Sequence, residues 1–218
     1  MKRKFSIIFI LLLLTFITGM GAYYTYRNRE ELIFSDSLSE VAVTIDTKEL
    51  TLFDMAFYIA YLEKEVQKDA IIYNPEQPHK YWNVRTNNQF ICKVVEEAVV
   101  DMAVHDEIFY RLVQEEELAL DEAEEAYLAN EVYDFCSDLS KQQFANLGVS
   151  EHDMEAAMRK IALANKYQSI LARMENVEYT DYDYTGSAYE KLLSQHEVAI
   201  NEKVWDRISV GNITVNYK

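Results

Sequence analysis

The four histidines, His79, His105, His152 and His196, are the residues best suited to bind a metal or move a proton near neutral pH. They lie far apart in the chain and form no His-Glu-x-x-His pair. Glu76-Gln77-Pro78-His79 matches Glu-x-x-His, but a carboxylate di-iron site needs two such pairs on helices, and Pro78 makes this one a loop. Asp181-Tyr182-Asp183-Tyr184-Thr185-Gly186 begins like a calcium loop, yet its twelfth position is Leu192 where a bidentate Glu is required. Glu97, Asp101 and His105 share one helix face, which reads as a wet charged face. His105 also lies on an apolar seam, either as a core-edge histidine bonded to a neighbour or as a pH sensor. Cys92 and Cys136 flank apolar stripes, as two buried thiols or as one disulfide between helices. No Ser stands in a nucleophile-elbow context and no Cys–His pairing is legible. No catalytic, cofactor-binding or metal residue is assigned, and an enzyme is unsupported.

The composition narrows the remaining classes. A formal charge of -16 repels phosphate backbones, which argues against nucleic acid as a partner. With 50% hydrophobic and 27% charged residues the chain has the make-up of a globular protein. Five Gly and two Pro are too few for the turns of a sandwich or barrel, so helices should dominate.

The N-terminus carries a targeting pattern. Lys2, Arg3 and Lys4 precede an uncharged run from Phe5 to Tyr26. As a helix it would be roughly 33 Å long, close to the thickness of bilayer hydrocarbon. Residues 1–30 are therefore a signal-anchor, or a signal peptide cleaved near Gly19-Met20-Gly21. Tyr23, Tyr24 and Tyr26 suit an interfacial belt, and the basic start places the rest of the chain outside the cytoplasmic membrane. The first thirty residues hold five basic and one acidic residue, which leaves 16 basic and 36 acidic, a net charge of -20, beyond them. A part of that size can form one domain without crosslinks.

Residues 31–40, with Ser35, Asp36, Ser37 and Ser39, read as a polar tether. Val41, Val43 and Ile45 alternate with Ala42 and Thr44 as in a strand, and Asp46-Thr47 is a turn. Thr51 through Asp54 fits a capping box opening a helix to about Lys68. Residues 70–86, with Pro75 and Pro78, read as an ordered loop. Ile91, Val95, Ala98, Met102, His105, Phe109 and Leu112 step by four and three, which predicts a helix over 88–114. Asp121 and Glu124 cap a third helix, predicted to reach Leu147 before Gly148 stops it. Ser150 and Asp153 cap a fourth. A Tyr- and Asp-rich connection, a short helix over 187–195 and an alternating end follow. An unpaired strand leaves backbone groups unmet, so residues 208–215 are expected to pair with 41–45.

This order of elements resembles the SurA/PrsA family of extracytoplasmic chaperones. The likeness rests on Val43 to Asp54 as a strand, turn and capped helix, on the long helix through Val95 to Leu112, on the restart Leu118-Ala119-Leu120-Asp121-Glu122, and on Gly148-Val149-Ser150-Glu151. It covers about residues 40–172. The turn lacks the usual Gly, Glu residues replace the Gly expected before the restart, and the lipobox Cys is absent. The 46 residues after Ala172 are too few for a parvulin domain, so isomerase activity is not carried over. The resemblance implies a mainly α fold: four long helices in a SurA N-domain-like module over 41–175, with a small β ribbon of the N- and C-terminal strands. Residues 176–218 would pack back on it. It also implies an ATP-independent holdase, tethered to the membrane by the N-terminal helix, that cradles unfolded exported polypeptides.

Met and Tyr suit varied clients, and the chain has seven Met and sixteen Tyr. The candidate client-binding residues are Phe57, Tyr61, Met102, Phe109, Met154 and Met158, and the acidic charge favours basic clients. A structural or adaptor subunit of an envelope complex using the same fold for one partner is the alternative, and an isomerase-linked foldase a third. The sequence leaves the oligomeric state open.

Overall fold

Helix starts are set by reciprocal caps, and the computed structural model, which describes residues 31–217 together with Met20, shows them at each predicted place. Asp54 accepts from the Thr51 N–H at 2.7 Å, Glu124 from Asp121 at 2.8 Å, and Asp153 from Ser150 at 2.8 Å. Each bond satisfies a donor that a helix N-terminus leaves free. The elements in order are β1 (Val41–Ile45), β2 (Lys48–Thr51), α1 (Leu52–Tyr73), β3 (Arg85–Thr86), β4 (Gln89–Phe90) and α2 (Ile91–Glu115). They continue with α3 (Glu122–Ser137), α4 (Lys141–Leu147), α5 (Glu151–Glu175), α6 (Ser187–Leu193), β5 (Val198–Ile200) and α7 (Glu202–Trp205). The fold is mainly helical with a small antiparallel sheet of order β2-β1-β5 and a separate two-stranded hairpin. From Leu32 onward the chain is one compact unit. Its α2 helix packs along α5 and against α1, burying Val99, Ile108 and Phe109 with Met55, Ile59 and Met154.

Four expectations change. The third helix is not continuous to Leu147: it ends at Ser137 and restarts as α4. Ser140 and Gln143 make a further capping box, with Gln143 Oε1 accepting from the Ser140 N–H at 2.8 Å, and the turn lets Leu139 and Leu147 both bury. The first helix runs five residues past Lys68, to Tyr73, and stops where Asn74 precedes Pro75 and turns extended. The loop at 70–86 gives way to the end of α1, a 3-10 turn over Pro78–Asn83 and the β3–β4 hairpin, whose Asn87 and Asn88 hold positive φ of 47° and 69°. Residues 31–40 are not a free tether. Phe34 is buried in a 3-10 turn over Phe34–Asp36 that packs against α4, and Leu32 donates its N–H to the Arg207 carbonyl at 2.8 Å.

The expected pairing of 208–215 with β1 is also overturned. The strand that pairs with β1 is β5, with Val43 opposite Ile200 and Ile45 opposite Val198. Residues 208–215 keep their alternating burial, with Ile208, Val210 and Ile213 inside, but three of their backbone donors are met by a side chain. The carboxylate of Glu63, fully buried on α1, accepts from the N–H groups of Gly211 at 2.5 Å, Ile213 at 3.2 Å and Thr214 at 2.5 Å, and from the Thr214 hydroxyl at 2.5 Å. Asn146 and Gln143 donate to the carbonyls of Ile213 and Thr214 at 2.9 Å. Gly211 is required there: its φ is 95°, and a Cβ would lie 2.6 Å from the Trp82 ring.

Among the described residues no helix is long and apolar enough to cross a membrane. The anchor or signal expected at Phe5–Tyr26 lies outside the described residues, apart from Met20.

Candidate functional site

An apolar concavity with a volume of about 640 Å³ opens between α3 and α5. Phe57 of α1 reaches it, Tyr127 and Leu128 stand on the α3 side, and Met158 and Ile161 on the α5 side. Helix α3 buries three of its sixteen residues, Leu128, Phe135 and Cys136, and leaves Tyr127 67% and Tyr133 73% exposed. Its five carboxylates, Glu122, Glu124, Glu125, Glu131 and Asp134, are accompanied by no basic residue. The cations come from α5: Lys166 binds Glu124 at 2.5 Å and the Ala119 carbonyl at 2.9 Å, and Arg159 binds Glu125. Exposed pairs of this kind add little stability. Few buried contacts make α3 the readily displaced side of the groove.

Phe57, 9% exposed, stacks on Tyr61 at 6.0 Å and lies 5.0 Å from the Phe135 ring. It also lines a smaller cavity of about 170 Å³ beside Phe53 and Met154. The structure thus brings Phe57 and Met158 to the groove, with Tyr61 stacked on Phe57 outside its lining. It does not bring the other three candidates to the groove. Phe109 and Met154 are core residues at 0% and 1% exposure, and Met102 is a half-buried side chain packed on the core. Tyr127, Leu128, Leu120 and Ile161 were missed. The signal for Tyr127 was an aromatic off the apolar stripe of a helix otherwise filled with carboxylates.

The residues first considered for chemistry are engaged elsewhere. His105 is buried, with Nε2 2.8 Å from the Tyr182 carbonyl and Nδ1 2.8 Å from Asp106. A carbonyl only accepts, so Nε2 carries a proton. Asp106 also accepts from the Tyr58 hydroxyl at 2.9 Å, and burial with that carboxylate pushes the Tyr58 pKa well above its ordinary value. The rings of Phe109 and Tyr189 pack at 4.8 Å on His105, and burial and Glu175 push the Tyr182 hydroxyl up to about 12. This network joins α1, α2 and the C-terminal connection. Glu97 and Asp101 are exposed while His105 is inside, so the three do not form one solvated face.

Asp46, at φ 53° in the β1–β2 turn, accepts from the Glu197 N–H at 2.9 Å, from His196 at 2.8 Å and from Arg111 at 3.0 Å. Those bonds, the backbone one foremost, hold its carboxyl at about 2. In the calcium-like loop, Asp181 accepts from the Glu178 N–H and Asp183 from Gln168. Cys92 and Cys136 are free thiols, both pushed up by burial. Among the described residues no cluster of three His, Cys, Asp or Glu side chains is placed to hold a metal ion.

Comparison with family models, with curated proteins and with solved structures gives no match. The groove has to be interpreted from its own geometry. It is apolar within, acidic along one side and bounded by a thinly packed helix.

Proposed function

We propose that this chain is an exported, membrane-tethered, ATP-independent chaperone that holds unfolded secreted polypeptides, in the manner of the SurA/PrsA family its sequence resembles. The observation that carries this reading is the groove between α3 and α5, apolar inside and closed on one side by a helix with three buried residues. Apolar contact is non-directional, so such a groove accepts many side-chain patterns where a hydrogen-bonded site would select one. The exposed Tyr127 and the flexible Met158 can repack on different clients. The acidic side discourages self-association and draws basic segments.

The test is light scattering of a chemically denatured, aggregation-prone client diluted into residues 32–218, without ATP. Suppression is expected near equal molar ratio. Tyr127→Glu with Met158→Glu should raise the amount needed at least about fivefold while helical content stays unchanged. Failure to suppress across several clients, together with one stoichiometric partner in pull-downs, would replace this reading with that of an adaptor for a dedicated envelope protein.

A further inference from the structure

The sheet has the order β2-β1-β5, so β5 is an edge strand. The ladder fixes which of its backbone groups are used. Asn201 donates its N–H to the Ala42 carbonyl at 2.9 Å, Asp46 donates to the Glu197 carbonyl at 2.7 Å, and Ala199 lies opposite Thr44 between them. Residues of an antiparallel strand turn their backbone groups alternately to one side and the other. Glu197, Ala199 and Asn201 therefore face β1, while the N–H and C=O groups of Val198 and Ile200 point away from it. Among the described residues nothing meets those outward groups. They recur every second residue, about 7 Å apart, which is the repeat of an extended chain.

Natural edges are commonly blunted by Lys, Pro or a bulge. Val198-Ala199-Ile200 has none of these: its pairing with β1 is regular, the irregular step of the sheet falls between β1 and β2, and Ile200 is 45% exposed. A cavity of about 320 Å³ adjoins this edge. Val100 of α2, Ile200 and Trp205 of α7 supply its apolar surface, and Glu96, Glu97, Glu202 and Asp206 line it with carboxylates. Lys93 is the cation in that lining, and its ammonium binds Glu96 at 2.5 Å. Burial foremost, with Asp206 and Glu97 adding to it, pushes the Glu96 carboxyl up in spite of that pair. Lys203 and Arg207 stand outside the lining, and counting both still leaves the carboxylates in excess, four to three. Neither Glu97 nor Glu202 has a cationic partner among the described residues.

Unmet donors and acceptors at this repeat are satisfied by another extended chain, and the surplus carboxylates select its charge. We propose that β5 takes up an added strand from an extended, basic polypeptide segment. Its backbone bonds Val198 and Ile200, its apolar side chain opposite Ile200 lies beside the cavity, and its Lys or Arg side chains meet Glu97 and Glu202. A second copy of this chain would set the same carboxylates against each other across the new ladder, which disfavours self-pairing. The proposal deepens the chaperone reading and rests on it for the source of the strand, an unfolded exported chain. The groove receives side chains without direction, whereas β5 receives backbone, which every client carries.

Residues 32–218 have their own closed core and can be tested alone. The probe is an end-blocked peptide of about eight residues alternating Lys and Val, added while amide exchange is followed residue by residue. Exchange should slow at Val198 and Ile200. N-methylation of the Val amides or of the Lys amides, whichever set faces β5, should weaken binding at least about tenfold by removing its donors. A peptide with Glu in place of Lys should not bind, and Glu97→Gln with Glu202→Gln should weaken the Lys peptide about fivefold. Tyr127→Glu with Met158→Glu should leave this binding unchanged. Unaltered exchange at Val198 and Ile200, or equal affinity for the parent and both methylated peptides, would overturn the proposal whether or not the domain suppresses aggregation. Slowing that grows with domain concentration and needs no peptide would assign the edge to a second copy and overturn it too. Peptide-dependent slowing in a domain that protects no client would instead remove the holdase reading and leave the strand site standing.

Discussion

The strap at 208–215 and helix α3 both lie against the helical body, yet they are held by opposite means. The strap has almost no regular secondary structure, and its buried donors converge on one carboxylate, Glu63. Helix α3 satisfies its own backbone and needs little from its neighbours, so it rests on Leu128, Phe135, Cys136 and two surface ion pairs. A buried carboxylate is tolerated only when its oxygens are bonded, which makes the strap site directional and intolerant of rearrangement. Apolar burial with exposed ion pairs has no such geometry. The molecule is rigid where the strap meets α1 and permissive beside the groove.

Breaking the rigid side should have the largest effect. Glu63→Ala leaves three N–H groups and a hydroxyl without an acceptor, and should cost about 3–5 kcal/mol in urea denaturation. A loss no greater than that of an exposed substitution would show that water replaces the latch. The pH response sharpens the same contrast. Burial raises the Glu63 pKa against the pull of its four donors, so the folded state binds the proton more tightly than the unfolded chain does. Its contribution should fall as pH rises from the unfolded value near 4.5 through the folded one.

Asp46 has the opposite sign. Its carboxyl is held at about 2 against an unfolded 3.8, so its contribution is complete above about pH 4 and lost as pH falls toward 2. Asp46→Asn should flatten acid unfolding in that window, and an unchanged acid profile would rule Asp46 out as a determinant.

The smallest effect belongs to the permissive side. Lys166→Ala removes the pair to Glu124 and should shift Tm by no more than about 2 °C, while amide exchange in α3 accelerates ahead of α2. Equal acceleration in both helices would mean that α3 is not an independent wall.

Much of this contrast was illegible beforehand because it depends on groups far apart in the chain. Caps at Thr51, Asp121 and Ser150 were readable since both partners lie within four residues, and the same rule would have found Ser140 and Gln143 had a continuous apolar stripe not taken precedence. The strand at 41–45 was readable from alternation, but alternation at 208–215 reports burial on one side and not the partner of the backbone. Glu63 lies in a helix rich in charge, and nothing local separates it from the solvated Glu65. Of the six proposed binding residues, Phe57 and Met158 meet at the groove because they flank the apolar stripe, whereas Phe109 and Met154 lie at its centre and are enclosed.

The sequence by itself determined the helical character, the acidic charge, the helix starts and the first strand, since propensity, capping and periodicity act over a few residues. The tertiary structure alone decided which segment completes the sheet, that Glu63 rather than a strand receives residues 211–214, and which apolar residues remain open in a groove or at the end of α1. Those outcomes depend on which surfaces meet across 150 residues, as the Glu63–Thr214 bond does, and no local pattern encodes that choice.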